Sequence, residues 1–331
     1  MKGPMLLAPA GKDYLWGGEK LRTEYAKDVR GADGGPMRPL AETWECSAHP
    51  DGPSTLASGP FKGQLLPEML AGHPEFLGTK ITEAGGCELP VLIKFIDARE
   101  DLSVQVHPDD AYALEHGLDR GKTEMWYVLE AELGASLVCG FSHEVTAEQI
   151  ENALAEGTLS RYLLKTEVFP GDVFYIPAGT IHAVGAGILL AEIQENSNTT
   201  YRVWDYGRID PKTGRERDTH VSKALEVLDL GPGASLRQKP RKVDYSFGCS
   251  REILARCPYF ETERVRSRLG FSFTVGEASF QVLLCTEGGG GISTDLMDRP
   301  LRFRKGDCIF IPAGTGRCHV LGQADLLKVR C

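Results

Sequence analysis

The sequence predicts a mainly β protein built from two related units. Glycine and proline interrupt short segments rich in Val, Ile, Phe and Tyr, which is typical of many short strands joined by tight turns. The segment FPGDVFYIPAGTIHAV at residues 169–184 recurs in part as FRKGDCIFIPAGTGRCHV at residues 303–320. The chain of 331 residues is also longer than one hydrophobic core usually supports. Together these observations indicate a duplicated β unit.

The strand candidates are short apolar segments that occur in both halves of the chain. They span residues 92–96, 102–107, 125–130, 136–140, 173–176, 189–194, 271–275, 280–286, 301–303, 308–311 and 324–329. Three other segments carry apolar residues at every third or fourth position, which predicts amphipathic helices at residues 109–118, 147–164 and 219–228. We expect these helices to be short insertions packed on a β scaffold.

The segment DLGPGASLRQKPRK, residues 229–242, is polar and rich in Gly and Pro, so it predicts a linker. We therefore expect one domain at residues 1–235 and a second at residues 236–331. The glycine run at residues 288–291 predicts a flexible hairpin inside the second domain.

Composition excludes several classes of partner and location. A formal net charge of −9 argues against nucleic acid, whose binding requires basic patches. No apolar run approaches the roughly 20 residues of a membrane span, and Pro4, Pro9 and Gly11 interrupt a signal-peptide core. Nine cysteines without a CxxC pair indicate buried thiols in a reducing compartment. We expect a cytoplasmic protein that is a monomer or a weak homodimer.

Four residues form a candidate metal site. The turn at residues 171–182 delivers His182 to the start of a strand, and strand alternation places Gln105 and His107 on one face. Glu124 opens a further strand. Nitrogen and oxygen ligands without sulfur suit Zn²⁺, and they are also compatible with Mn²⁺ or Fe²⁺. The alternative is that both histidines are hydrogen-bonded core residues.

These two elements resemble the paired motifs of the cupin superfamily, whose domains are small antiparallel barrels or jelly rolls with a metal between the motifs. The second motif fits from Gly171 to His182, whereas the familiar His-x-His of the first motif is here Gln105-x-His107. The resemblance implies two cupin-type jelly-roll barrels with short helical insertions.

Gln-x-His followed by Pro-Asp, with Lys-x-Glu-Met downstream, resembles the type I phosphomannose isomerases, and in particular their short bacterial branch. The segments YLWGGEKL (14–21), ETWECSAHPDGPS (42–54), LPVLIKFIDAREDLSVQVHPDD (89–110) and ENSNTTYRVWDYGR (195–208) follow the family pattern. The resemblance implies reversible conversion of mannose 6-phosphate to fructose 6-phosphate. It also implies one Zn²⁺ per chain, held by Gln105, His107, Glu124 and His182.

The same resemblance implies basic residues around the substrate at Lys94, Lys122 and Arg202. Aldose–ketose isomerisation moves a proton from C2 to C1 through an enediol, and a cation such as Arg202 can stabilise the charge that develops on the oxygens. The base must be titratable and within hydrogen-bond reach of this proton, so Lys122 and Glu192 are the candidates.

The remaining candidates are substrate-binding residues: Lys94, Ser103 and Trp16. Each basic or aromatic candidate also has an ordinary structural interpretation. Lys94 can point outwards from its strand, and Arg202 can form a surface salt bridge with Asp205. Trp16, like Trp44, can be a plain core residue instead of a sugar platform.

One departure from the family pattern bears on the mechanism. Many members have His-Lys-Pro-Glu where this chain has Gly-Lys-Thr-Glu at residues 121–124. A mechanism that assigns ring opening or proton transfer to that histidine therefore does not carry over.

The second copy of the turn lacks the ligands. Arg317 occupies the position of His182, and alignment of EMWYVL with SFQVLL places Ser279 opposite Glu124. We expect this unit to stabilise or cover its partner. Two other functions fit a metal-binding cupin: a sugar sensor without turnover, and an Fe²⁺ oxygenase. No DNA-binding helix-turn-helix supports the sensor, and the oxygenase gives Lys94, Lys122 and Arg202 no role.

Overall fold

The computed structural model describes residues 2–233 and 235–331 of the chain. Ala234, within the predicted linker, lies outside the described residues. Strands dominate the described residues, so the prediction of a mainly β protein is confirmed. Each of the predicted strands overlaps a strand of the structure.

The strands of the first part of the chain are β1 Met5–Ala8, β2 Ala10–Lys12, β3 Glu42–Cys46, β4 Thr55–Leu56, β5 Val91–Ala98, β6 Val104–Val106, β7 Glu124–Ala131, β8 Ser136–Phe141, β9 Leu163–Glu167, β10 Val173–Ile176, β11 His182–Val184, β12 Ile188–Glu195, β13 Tyr201–Trp204, β14 Ile209–Asp210, β15 Arg215–Glu216 and β16 Arg237–Gln238. Those of the second part are β17 Arg241–Ser246, β18 Cys249–Arg256, β19 Glu261–Ser267, β20 Phe271–Val275, β21 Gln281–Thr294, β22 Leu301–Arg304, β23 Cys308–Ile311 and β24 Gly316–Arg330.

The helices are short. They are α1 Lys20–Thr23, α2 Leu66–Gly72, α3 Thr79–Thr82, α4 Asp110–Glu115, α5 Ala147–Ala155 and α6 Val221–Val227, with 3-10 turns at Pro74–Phe76 and Leu159–Arg161. Among the described residues no helix has the length and apolar character needed to cross a bilayer.

Two sheets of the first part and one of the second repeat a common strand order. The first part has a seven-stranded sheet, β16-β10-β7-β12-β5-β3-β2, and a five-stranded sheet, β13-β6-β11-β8-β9. The ten-stranded sheet of the second part contains the order β23-β21-β24-β19-β18-β17, in which the long strands β21 and β24 also pair with β22 and β20. The duplication predicted from one repeated turn therefore extends to the strand order of whole sheets.

The two parts of the chain share strands and a core. β1 of the first part pairs with β23 of the second part, so that Leu6 lies opposite Ile309. One hydrophobic cluster contains Phe95 of β5 together with Phe280 and Phe310 of the second part. The division at residue 235 stays a prediction, although the N-terminal strand lies in the sheet of the second part.

Helix α5 is shorter than the sequence predicted. It begins with a capping box in which the Thr146 hydroxyl accepts from the Gln149 amide and the Gln149 side chain accepts from Thr146. It ends at Ala155 because Gly157, with φ +68°, takes the left-handed conformation that terminates helices. The prediction of a helix to residue 164 is therefore wrong, and Leu163 begins β9.

Strands β17 to β19 were not predicted because charged residues interrupt their apolar pattern. In β19 the buried Glu263 pairs with Arg251 of β18 and with Lys328 of β24. Cross-strand ion pairs thus take the place of apolar contacts, which a search for hydrophobic alternation does not detect.

The glycine run at residues 288–291 is not a hairpin. It lies inside β21 and pairs with both β24 and β22, so that Gly290 is opposite Gly322 on one side and Phe303 on the other. A Cβ atom on Gly290 would lie 2.1 Å from the Leu321 carbonyl oxygen. The glycines therefore permit close strand contact, and the flexible hairpin prediction is wrong.

We predict that Gly290→Ala destabilises the protein by about 1–3 kcal/mol, because the added methyl group must push β21 and β24 apart. Urea denaturation monitored by circular dichroism measures the change. Gly72→Ala is the matched control, since a Cβ atom there meets nothing within 4 Å. Equal unfolding midpoints for the two variants would contradict this account of the glycine run.

Candidate active site

A row of three side chains crosses the five-stranded sheet. His182 of β11 and Arg202 of β13 both pair with Gln105 of the intervening strand β6. Residues directly opposite each other in antiparallel strands point to the same face. The sheet register therefore brings together residues that are far apart in the sequence.

A second row crosses the seven-stranded sheet. Trp126 of β7 lies opposite Glu192 of β12, which lies opposite Lys94 of β5, and Lys94 lies opposite Trp44 of β3. Glu124 precedes Trp126 by two residues and so points to the same face of β7.

The side chains of His107, Glu124 and His182 form a buried cluster whose ligand atoms lie within 4.8 Å of one another. His107 Nε2 is 3.2 Å from Glu124 Oε1, and His182 Nε2 is 3.8 Å from Glu124 Oε2. The two imidazole rings are 4.7 Å apart between centroids. These three groups could together hold a metal ion.

Both histidines are oriented by backbone carbonyl groups. His107 Nδ1 lies 2.9 Å from the Thr199 oxygen, and His182 Nδ1 lies 2.9 Å from the Thr180 oxygen. A proton on each Nδ1 donates to these carbonyls, so each Nε2 carries a lone pair. His107 Nε2 lies 3.1 Å from Lys122 Nζ and His182 Nε2 lies 3.3 Å from Gln105 Nε2, with the Glu124 carboxylate beside both rings. Burial, with the Lys122 charge, lowers the pKa of His107 to about 3, and burial also lowers the pKa of His182. The neutral imidazole that coordinates metals is therefore favoured.

Glu124 is a buried carboxylate with a deficit of hydrogen bonds. Burial raises the pKa of its carboxyl group, but Lys122 and His107 outweigh burial and the net pKa lies well below its usual range. Lys122 Nζ lies 2.7 Å from Oε1, yet neither carboxylate oxygen accepts a well-directed hydrogen bond from the described residues. An ionised group in this position is suited to direct contact with a cation.

Gln105 adjoins the cluster. Its Nε2 lies 3.3 Å from His182 Nε2, and its Oε1 accepts from the Ser103 hydroxyl at 3.4 Å. Amide oxygen and nitrogen exchange places when the side chain turns by half a rotation, so Gln105 can present an oxygen to the cluster. The four predicted ligand residues therefore lie together.

A polar pocket of about 260 Å³ opens between the two rows. Seven of the residues predicted from the sequence line it: Trp16, Lys94, Ser103, Gln105, Lys122, Glu192 and Arg202. Sequence reasoning missed Tyr14, Glu42, Asn198, Thr200 and Arg217, which also line it. Tyr14 and Asn198 belong to segments that follow the family pattern, whereas Arg217 lies outside every segment we singled out.

Lys94 points into the pocket and not outwards. Its Nζ lies 3.1 Å from Glu192 Oε1 and 3.7 Å from Glu42 Oε2. Burial lowers the pKa of the Lys94 ammonium group, but these two carboxylates outweigh burial and raise it overall. Burial and the Glu124 charge raise the pKa of Glu192, whose Oε2 accepts from the Trp126 indole at 2.8 Å.

Arg202 has different partners from those of a surface ion pair. Its Nε donates to the Ser103 hydroxyl at 3.3 Å and its Nη1 to the Asp218 carbonyl at 2.7 Å. Asp205 instead pairs with Arg208 and Arg217. The interpretation of Arg202 as the partner of Asp205 is therefore wrong.

The two tryptophans differ in their surroundings. Trp44 is fully buried, and its indole donates to Glu42 at 2.7 Å, so it is a core residue that packs against Lys94 and does not line the pocket. Trp16 lines the pocket and packs against Tyr14, with ring centroids 5.6 Å apart.

The second copy of the turn holds no comparable cluster among the described residues. The histidine of this copy, His319, is displaced by two residues from Arg317, which holds the position of His182, and it lies on the surface 2.9 Å from Asp295. Strand pairing also corrects the sequence alignment. Ile176 of the first turn pairs with Glu124, and Ile311 of the second turn pairs with Gln281. Gln281, and not Ser279, therefore stands at the position of Glu124.

Comparison with known proteins places the chain among isomerases. The family described as phosphomannose isomerase type I, catalytic domain, matches residues 5–135. The mannose-6-phosphate isomerase of Streptococcus mutans is 36% identical over 94% of this chain and 93% of the relative. Mannose-6-phosphate isomerase ManA of Bacillus subtilis is 33% identical over 98% of both chains.

The fold agrees with these sequence relatives. The crystal structure of the mannose 6-phosphate isomerase from Bacillus subtilis superposes with a TM-score of 0.89 at 30% identity, covering 99% of each chain. A zinc-bound mannose 6-phosphate isomerase shares the fold at 17% identity, with a TM-score of 0.75 over 98% of each chain. From the sequence relatives and the shared fold we conclude that the chain belongs to the type I phosphomannose isomerase family.

Proposed function

We propose that this protein interconverts mannose 6-phosphate and fructose 6-phosphate, with one Zn²⁺ per chain held by Gln105, His107, Glu124 and His182. The observation that carries the proposal is the buried cluster of His107, Glu124 and His182, whose ligand atoms lie within 4.8 Å of one another, beside a pocket lined by cations. The four side chains supply nitrogen and oxygen donors without sulfur, which suits Zn²⁺.

Bound zinc would act as a Lewis acid that stabilises negative charge on the substrate oxygens. The proton on C2 is removed by a base and returned at C1 through an enediol. Lys122 and Glu192 remain the candidates for this base, because both line the pocket. Arg202 lines the same pocket and can donate hydrogen bonds to the oxygen that gains charge.

Lys94, Ser103 and Trp16 are the proposed substrate-binding residues. Lys94 supplies an ammonium group at the wall of the pocket, Ser103 a hydroxyl group beside Arg202, and Trp16 an aromatic face. Arg217 adds a second guanidinium group near Arg202, and the like charge of Arg217 contributes, after burial, to the lowered pKa of Arg202. Two adjacent cations favour an anionic substrate in a chain whose net charge is −9.

We place the metal-binding unit at residues 1–235 and the unit without metal ligands at residues 236–331. We further propose a cytoplasmic protein, a monomer or weak homodimer, that binds neither nucleic acid nor membranes.

An assay that couples formation of fructose 6-phosphate from mannose 6-phosphate to a chromogenic step tests the proposed function. We expect turnover that requires a divalent metal but no O₂. Ligand affinity without turnover would favour the sugar sensor, and dependence on iron and O₂ would favour the oxygenase.

Metal analysis should return one divalent ion per chain, since only the first unit of the described chain supplies a ligand cluster. Chelation should abolish activity and leave the circular dichroism spectrum unchanged, because the cluster lies between sheets that have their own cores. Two ions per chain would contradict the single site. Unfolding on chelation would instead make the metal structural.

His182→Ala removes one nitrogen ligand, so the affinity for the metal should fall by about 10–100-fold or more. Metal occupancy and turnover should fall with it. Glu124→Gln preserves the shape of the side chain but removes its charge, so metal retention should also fall. His143→Ala is the control, since His143 is exposed on the same unit. Full zinc content with normal activity in the His182 variant would overturn the site.

Lys94 and Arg202 are expected to affect different kinetic constants. Lys94→Met should raise KM by about tenfold, because it removes a charge-assisted hydrogen bond to the substrate. We expect an effect at the lower end of the range for such bonds, since Glu42 and Glu192 already neutralise much of the lysine charge. Arg202→Gln should mainly lower kcat by removing stabilisation of the transition state. Steady-state kinetics with metal content checked first measures both effects. Unchanged KM in the first variant with unchanged kcat in the second would reject this division.

A further inference from the structure

Strand pairing identifies which residues of the second unit stand at the positions of the metal ligands. His182 pairs with Gln105 after the first turn, and Arg317 pairs with Thr274 after the second turn. Thr274 therefore corresponds to Gln105. Gln281 corresponds to Glu124 by the pairing of the two turn isoleucines described above.

The fourth ligand position is a glycine. Gly276 follows Thr274 by two residues, as His107 follows Gln105, so Gly276 corresponds to His107. A Cβ atom built on Gly276 meets nothing within 4 Å. The place of the imidazole in the first unit is thus open space in the second.

The charged pair beside the site is also replaced by a pair in which the acidic and the basic residue have exchanged strands. In the first unit Trp126 pairs with Glu192, which pairs with Lys94. In the second unit Leu283 pairs with Lys328, which pairs with Glu263, and Lys328 Nζ lies 2.9 Å from Glu263 Oε2. The second unit therefore differs from the first by exchange of charges and not only by loss of ligands.

A pocket of about 570 Å³ lies at these positions in the second unit. Thr274, Gly276 and Gln281 line it, so three of the four positions that hold ligands in the first unit face this pocket. The other unit uses the same positions to surround a cation. Here the neighbouring charges are mostly positive.

Three cationic side chains and one carboxylate line this second pocket: Lys80, Arg256, Arg330 and Glu261. Glu261 pairs with both arginines and so holds the two guanidinium groups side by side. Lys80 Nζ has no hydrogen-bond or ion-pair partner among the described residues. The excess positive charge contrasts with the net charge of −9 of the whole chain.

Gln281 provides an independent indication of a ligand. The residue is only 6% exposed, and its Oε1 has no hydrogen-bond partner among the described residues. A buried polar atom without a partner is uncommon in folded proteins. A hydroxyl group on a ligand in the pocket would supply the missing donor.

We propose that this second pocket binds a small phosphorylated, hydroxyl-bearing ligand. Lys80, Arg256 and Arg330 would contact the phosphate oxygens through charge-assisted hydrogen bonds. Gln281 would accept a hydrogen bond from an adjacent hydroxyl group. This site is independent of the isomerase pocket, since none of these residues lines that pocket.

Equilibrium dialysis with labelled inorganic phosphate and with labelled fructose 6-phosphate tests the proposal. The test variant is Lys80→Gln combined with Arg256→Gln, and the control is Arg266→Gln combined with Arg268→Gln. The control removes the same charge from exposed positions of the second unit, where Arg266 and Arg268 pair with Asp325. Thermal unfolding of both variants establishes that they are folded.

We expect the test variant to bind one fructose 6-phosphate fewer per chain than the control, or to bind it about tenfold more weakly at one site. Comparison of variants keeps this outcome separate from whether the first pocket is an isomerase. Tighter binding of fructose 6-phosphate than of inorganic phosphate would support the contact with Gln281, and equal binding would remove that contact from the proposal. The same number and affinity of sites in test and control variants would overturn the site.

Discussion

The ionised carboxylate of Glu124 is the constraint on which the site depends. Removing a carboxylate from water costs several kcal/mol unless opposite charge and hydrogen bonds compensate. Here the nearest compensating groups are the Lys122 ammonium and the two imidazoles, and neither carboxylate oxygen accepts a well-directed hydrogen bond from the described residues. The carbonyls of Thr180 and Thr199 fix the imidazoles with their lone pairs inwards. Coordination of a cation by these groups would therefore couple metal binding to the stability of the surrounding strands.

Such a carboxylate requires a well-packed sheet around it, and the second unit contributes to that packing. Along β7, Trp126 faces the core beside the pocket, while Met125 on the opposite face joins the cluster that contains Phe280 and Phe310. The seven-stranded sheet is thus buried on both faces, which explains why β5 reads as the nearly continuous apolar run VLIKFIDA. Lys94 and Asp97 interrupt that run, and Lys94 is accommodated because Glu42 and Glu192 lie against its ammonium group. Covering the outer face of this sheet is a structural role for the second unit that does not need a metal.

The sequence was sufficient wherever function is encoded within one turn or one strand. The turn before His182 and the alternation from Ser103 to His107 predict side chains that the structure brings together with Glu124, and their role as metal ligands stays a prediction. The sequence was insufficient to predict pocket residues that come from loops distant in the chain. Arg217 enters the pocket from a segment with no distinguishing pattern, and Tyr14 approaches it from the N-terminal region. The alignment of Ser279 with Glu124 failed because apolar matching cannot fix a register that is set by neighbouring strands.

A turn is specified by consecutive residues, whereas a metal site is specified by several strands, and this difference also explains the displaced histidine. The conformation of Ile-Pro-Ala-Gly depends on a few consecutive residues, and Gly179 and Gly314 adopt φ values of +85° and +75° in the two copies. A ligand set instead requires residues from several strands to share one register, and Gln281, which stands at the position of Glu124, carries no charge for a cation. In the second unit the ligand position holds Arg317, and His319 instead pairs with Asp295 on the surface. The same turn can therefore persist in both units although only one retains the residues to bind a metal.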